Sequence, residues 1–265
     1  MKWAKGMIVA AGTWMALSVT AHADSNVQFS ALAVQSGPDG RTREARIFVG
    51  DNQVRLEHDR SGQPMVEIYD MKHRRMLLLV PQQKIYMQRD IAPGMAGNPI
   101  KPPTDSNPCA SLPGAQCRQV GSDRLYGRSV SQWEMRVERD GKTLNSLHWM
   151  DDARHMSLRD VWPDGSTTES ILQGKEMLHG RSTERWEQTT TQADGKKHTT
   201  TQWYDPELQI AVREEMPGGF FREIRDIRVA PQREDLFDVP ADYQHVEDDR
   251  QTAQPGMPQN SANGR

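Results

Sequence analysis

Cysteine, aromatic side chains and long apolar runs are all scarce in this chain. Two cysteines in 265 residues exclude a disulfide-dense scaffold, and neither sits in a Cys-X-X-Cys pair, which sets aside a thioredoxin-like redox site. With 35% hydrophobic and 6% aromatic residues the core is thin, which suits a sheet with one wet face better than a sheet buried on both sides. There is no excess of basic charge: the formal net charge is -3, so the positive stripe that counterion release from nucleic acid requires is missing. No Gly-X-Ser-X-Gly elbow occurs, and the Gly-Lys of Asp140 to Thr143 lacks the upstream glycine of a phosphate loop, Arg136 standing there. The expectation is a protein that is not an enzyme, without cofactor.

The one apolar run near the start, Met7 to Val19, is too short to span a bilayer comfortably. Lys2 and Lys5 precede it and Ala21-His22-Ala23 follows, the pattern of a secretory signal peptide cleaved after residue 23. Cleavage removes two lysines and no acid, moving the net charge to about -5. The expected location is the periplasm. There, Cys109 and Cys117 are expected to pair and clip a loop over residues 91–118 that holds six prolines and three glycines. Residues 246–265 are polar with little to bury, and read as a disordered tail. Between the ends, residues 24–245 read as a single β-rich domain.

What the chain does have is a passage stated twice. Gly121, Leu125, Gly127, Arg128, Ser129, Trp133 and Glu134 recur 53 places on as Gly174, Leu178, Gly180, Arg181, Ser182, Trp186 and Glu187. After a one-residue insertion, Asp140, Gly141, Lys142, Trp149, Asp151, Arg159, Pro163, Gly165 and Glu169 recur as Asp194, Gly195, Lys196, Trp203, Asp205, Arg213, Pro217, Gly219 and Glu223. A period near fifty marks a repeated supersecondary unit. Asp-Gly in the middle of each copy, flanked by alternating residues, is a hairpin signal, and Pro-Asp-Gly or Pro-Gly-Gly adds a second turn. Each copy, 121–169 and 174–223, therefore reads as a meander of about four antiparallel strands.

Upstream, Val27 to Val34 is either a strand or a turn of helix, and residues 45–87 alternate through a further meander. The interval from Asp70 to Pro81 nearly matches Asp151 to Pro163 and Asp205 to Pro217, which suggests a third, fainter copy of the hairpin. Met76 to Val80 is apolar on both faces and needs cover on both. Leu236 to Pro240 reads as a closing strand or edge segment.

Two sets of side chains invite a functional reading. Met71, His73 and Met76 cluster, as do His148, Met150, His155 and Met156, and thioether with imidazole suits copper(I). The spacing repeats in neither cluster, so no metal ligand is assigned and copper stands as a second alternative. In copy one, Trp133, Met135 and Val137 share a strand face, and Leu147 shares one with Trp149; copy two has Trp186, Gln188 and Thr190, then Thr201 and Trp203. One copy is oily where the other is polar. The tryptophans serve either an ordinary core or an apolar groove that is deeper under copy one.

Trp203 to Arg213 (WYDPELQIAVR) and Asp235 to Tyr243 (DLFDVPADY), with the leader and the strand series, resemble the periplasmic outer-membrane lipoprotein carrier superfamily, in particular its uncharacterised relatives. The resemblance implies a curved antiparallel half-barrel whose concave face binds acyl chains, and it assigns no residue role. The fold expected is mostly β, a curved antiparallel sheet or half-barrel built from repeated β-meanders, with little helix. The expected function is binding of a hydrophobic ligand, a lipid or a lipoprotein acyl chain, with Trp133, Met135, Leu147 and Trp149 as the wall. The first alternative is an envelope scaffold that docks a protein partner by strand addition, at a sheet edge or on the threonine-rich strands of copy two.

Overall fold

A computed structural model describes residues 27–91, 106–109, 112, 114–139 and 141–247. The expected leader, most of the 91–118 loop and the tail beyond residue 247 lie outside the described residues. Sixteen strands form one open, curved sheet. The first half is a meander of β1 (Phe29–Ser36), β2 (Thr42–Val49), β3 (Gln53–Arg60), β4 (Gln63–Asp70), β5 (Arg75–Val80) and β6 (Ile85–Asp90). The second half is a longer one: β7 (Gln116–Leu125), β8 (Arg128–Arg139), β9 (Lys142–Asp151), β10 (Ser157–Val161), β11 (Thr167–Leu178), β12 (Arg181–Thr191), β13 (Lys197–Asp205), β14 (Ile210–Met216) and β15 (Phe220–Val229). Within each half every strand pairs antiparallel with its sequence neighbour, and β1 lies against β15 to join the halves. The ambiguous segment after Val27 is thus a central strand.

The duplication is visible strand by strand. Copy one runs from the bulge at Gly121 in β7 through β8, β9 and β10 into β11; copy two starts at the bulge at Gly174 in that same β11 and runs through β12, β13 and β14 into β15. Each opens with a two-residue turn whose residues both have positive φ, Tyr126-Gly127 and His179-Gly180, as a type I′ hairpin needs. Each then closes on a buried aspartate. Asp151 Oδ1 accepts the backbone N–H groups of Ala153 and Arg154 at 2.8 Å, and Asp205 Oδ1 accepts those of Glu207 and Leu208 at 2.9 and 3.0 Å. Asp70 caps the turn after β4 in the same way, accepting from His73 N–H at 3.1 Å. Four residues beyond each aspartate the chain adopts positive φ, at Arg74, His155 and Gln209. The turns after β4, β9 and β13 thus share one geometry.

Register defines two faces. Running across copy one into copy two, Trp133 pairs with His148, His148 with Asp160, Asp160 with Thr168, and Thr168 with Thr190, so these share one face; four residues further along β11 and β12, Leu172 pairs with Trp186 on the same side. Arg128 in β8 lies 5.5 Å from the Trp186 ring in β12. Four strand spacings of a flat sheet would be about 19 Å. The sheet therefore curls and brings the start of β8 against β12; the face that carries Trp133 is termed inner and the face that carries Leu147 and Trp149 outer. Continuing through β13, β14, β15 and β1, the inner face of the first half is Ala31, Ala33, Ala45, Ile47 and Val54, packed with Leu208 and Val212 from the second.

The outer face of the first half is covered by the chain after β15. Residues 236–237 do not form the closing strand expected from Leu236 to Pro240: Glu234–Phe237 is a 3₁₀ turn lying across the sheet. Phe237 packs on Val66, Ile68, Leu77 and Leu79, and Arg55 donates to the Leu236 carbonyl at 2.8 Å. Gly50 makes room for it, since a Cβ there would stand 2.7 Å from the Phe237 ring. Packing the Phe237 ring on four aliphatic side chains removes from water apolar area that an edge ladder would leave exposed. The chain then adds β16 (Gln244–His245) parallel to β6 at the sheet's border. So β5 is covered outside by this strap, while on its inner face Met76 and Leu78 stay part-exposed.

Candidate ligand-binding face

The four wall residues named from the sequence divide between the two faces. Trp133 and Met135 are inward, opposite His148 and Ser146; Leu147 and Trp149 are outward, opposite Glu134 and Gln132. Trp149 is stacked by Arg159, whose Cζ is 5.3 Å from the ring centroid, and its copy-two counterpart Trp203 is stacked by Arg213 at 5.6 Å. Glu169 and Glu223 sit opposite those arginines, and the turn residues Tyr126 and His179 reach the two glutamates at 3.1 and 2.8 Å. The outward tryptophans thus belong to a Trp-Arg-Glu ladder that both copies keep. Burial opposes ionisation of Glu223, but the hydrogen bonds from His179 and Arg213 prevail and hold its carboxyl below the usual range.

Deeper in the scaffold, Arg128 donates from Nε and Nη2 to the buried Asp151, and Arg181 donates from Nε to the buried Asp205. These four residues are in the list of repeated positions, yet the sequence gives no hint that they pair. The hint available is that an arginine at one hairpin turn and an aspartate at the next recur together.

Inward, the copies differ. Copy one presents Trp133, Met135, Val137 and Leu144, with Trp162 following β10 one place beyond the Leu147–Val161 pair and 37% exposed. The copy-two residues at those positions are Trp186, Gln188, Thr190, His198 and Met216. Between the apolar residues of copy one lies a polar group that sequence reasoning missed. Ser146 Oγ is 2.8 Å from His148 Nε2, His148 Nδ1 is 2.7 Å from Asp160 Oδ1, and Ser157 Oγ donates to the same oxygen at 2.5 Å. All three of Ser146, His148 and Asp160 are buried. Trp162 lies edge-on to the His148 ring at 5.4 Å. Ser146 and His148 are two apart on one strand, and the acid comes opposite only through the β9–β10 register, so no linear motif announces them.

Copy two has Thr200, Gln202 and Glu214 at the corresponding places, and there Glu214 pairs with Arg222 across β14 and β15. Burial pushes the Glu214 carboxyl up despite that arginine.

The copper alternative loses ligands to this geometry. Both ring nitrogens of His148 are engaged by Ser146 and Asp160, and His73 commits Nδ1 to Asp70 at 2.7 Å. Among the described residues no group of three or more His, Cys, Asp or Glu is arranged to hold a metal ion. Strand addition on the threonine-rich strands is also closed, because β12 and β13 each have a hydrogen-bonded neighbour on both sides. The exposed border strand β7 is interrupted by its bulge and carries Arg118, Asp123 and Arg124, features that blunt an edge against pairing. Cys109 and Cys117 form the expected disulfide, joining the loop to the start of β7.

No family model and no curated protein matches the sequence. Solved structures similar to the chain include a LolA superfamily protein from Nitrosomonas europaea, at TM-score 0.36 and 10% identity over 80% of this chain and 90% of that one. Another is a putative outer membrane lipoprotein-sorting protein domain from Vibrio parahaemolyticus, at TM-score 0.33 and 10% identity over 80% and 90%. A third is MucB, at TM-score 0.33 and 14% identity over 84% of this chain and 61% of that one; MucB from Pseudomonas aeruginosa is also solved with MucA. Two of these bear the name or description of the superfamily that the sequence resembles. At these TM-scores the likeness carries no argument about ligand or site.

Proposed function

We propose that this is an exported, periplasmic protein that binds a ligand with a long apolar chain, a lipid or an acyl chain, on the inner face of copy one. The observation that supports it is the difference between two copies of one scaffold. Where copy two places Gln188, Thr190 and His198, copy one places Met135, Val137 and Leu144 beside Trp133, with Trp162 part-exposed at the margin. A core that served packing alone has no reason to be oily in one copy and polar in its equivalent. At roughly 25 cal/mol per Å² of apolar area removed from water, covering part of an acyl chain supplies several kcal/mol. Leu147 and Trp149 are outside this reading, since they lie on the other face.

The test is extraction of the purified protein with organic solvent and mass spectrometry of the extract. A lipid near one equivalent per chain, lost in Met135→Gln, is the expected result. An extract without lipid, together with no binding of a fluorescent fatty acid, refutes it.

A further inference from the structure

We propose that Ser146 is an activated nucleophile that takes the acyl group of a carboxylic ester, with His148 as its general base and Asp160 as the residue that positions the imidazole. The inference stands on the relay itself and does not require the apolar ligand.

The proton assignment follows from the partners. An ionised Asp160 can only accept, so the bond of 2.7 Å puts the hydrogen on His148 Nδ1. In neutral imidazole that leaves the lone pair on Nε2, which faces Ser146 Oγ at 2.8 Å and accepts its hydrogen. Ser157 Oγ, bonded to the same carboxylate oxygen, helps fix the acid in place. This is the order of roles, nucleophile to base to orienting carboxylate, that acyl transfer uses on unrelated folds.

The fold does not demand the arrangement. At the same register positions copy two folds with Thr200, Gln202 and Glu214, and it meets its buried acid with Arg222 from the next strand. Copy one has Thr168 where that arginine would be, so the cation available to Asp160 within the trio is the imidazolium formed when His148 takes a proton. Beside the trio, Trp133 stands directly opposite His148, and its buried indole Nε1–H has no partner. It is the donor in this row left to meet a developing oxyanion. Trp186 in copy two keeps an equally partnerless indole, but there the nucleophile and base are absent.

In the step, Ser146 Oγ attacks the ester carbonyl carbon and its proton passes to His148 Nε2. The bond from that carbon to the leaving alcohol oxygen breaks, and His148 returns the proton to that oxygen. An acyl-serine remains. Water, deprotonated by the same imidazole, then releases the carboxylic acid and restores the serine hydroxyl.

The experiment uses the full exported chain and an alkyl fluorophosphonate, with which Ser146 Oγ forms a bond to phosphorus as fluoride leaves and the serine proton is lost through His148. One adduct per chain, located at Ser146 by peptide mass spectrometry, is expected. Ser146→Ala removes it, and His148→Gln, the copy-two residue, slows it at least ~100-fold. Asp160→Asn slows it as well, and Asp160→Glu restores it, which a purely structural carboxylate would not do. No adduct on the wild-type protein, an adduct on another serine, or undiminished labelling of His148→Gln overturns the proposal, and the first two do not depend on any variant folding. A decyl probe that outpaces an ethyl probe supports both this inference and the apolar ligand. Equal rates leave Ser146 as the nucleophile and refute only the apolar face.

Discussion

Arg128→Met is expected to destabilise the protein far more than loss of a surface ion pair does. Asp151 is 1% exposed and accepts the Arg128 guanidinium together with two backbone N–H groups. Removing the arginine leaves a buried carboxylate without its cation, at a cost of roughly 3–5 kcal/mol. The Arg128 side chain keeps 24% of its surface, so water reaches the site and the lower end applies, about 3 kcal/mol. For a domain of this size each kcal/mol moves Tm by about 2–4 °C, which gives a drop of roughly 6–12 °C. The guanidinium also lies over Trp186, so tryptophan fluorescence during urea unfolding reports both the midpoint and the local change. Arg118→Ala is the control. Its partner Glu134 is 2.7 Å away, but Arg118 is 76% exposed, and such pairs contribute about 1 kcal/mol or less. Equal effects of the two substitutions, or a loss under about 1 kcal/mol for Arg128→Met, would refute the buried Arg128–Asp151 pair as a main support of the fold.

Phe237→Ala empties the seat on Val66, Ile68, Leu77 and Leu79 and should lower stability by about 3–5 kcal/mol, measured by chemical unfolding; a change below about 1 kcal/mol would mean that the strap does not hold the outer face. Cys109→Ser with Cys117→Ser opens a loop closed over a separation of 8 residues and should cost about 2–3 kcal/mol on the chain-entropy model. On acidification, the burial of Asp70 and Glu223 is outweighed by bonds from His73 and Arg75 and from His179 and Arg213, so both carboxyls lie below their ordinary values of 3.8 and 4.5. A depressed carboxyl stabilises the fold above its unfolded pKa and loses that contribution as pH falls through the folded one, so unfolding midpoints should fall progressively below about pH 4.5. Asp70→Asn should flatten that fall; an unchanged slope counts against its share.

Turns were legible in the sequence because glycine and aspartate mark them chemically. The Asp-Gly hairpins, the Gly127 and Gly180 turns and the aspartate-capped turns after β4, β9 and β13 all stand where the repeat puts them. Faces were only half legible. Alternation groups Trp133 with Met135 and Leu147 with Trp149, but whether the two groups look the same way depends on the β8–β9 register, which sends them to opposite sides. The strap was read as a closing strand or edge segment because the apolar content of Leu236 to Val239 is the same whether it pairs at an edge or packs on the sheet, and only the sheet's bare outer face decides. Ser146, His148 and Asp160 were invisible because a bulge between Ser157 and Arg159 shifts the β9–β10 pairing, and no spacing rule counts across it.

The central claim is that the inner face of copy one, and not its outer face, receives the ligand. Titration of a fluorescent fatty acid against two variants tests it directly. The inner variant gives copy one the residues of copy two, Met135→Gln, Val137→Thr and Leu144→His; the outer one does the same at Leu147→Thr, on the opposite face. The account predicts binding that is lost in the inner variant and retained in the outer one, with both proteins folded by circular dichroism. Binding retained in the inner variant and lost in the outer would contradict it.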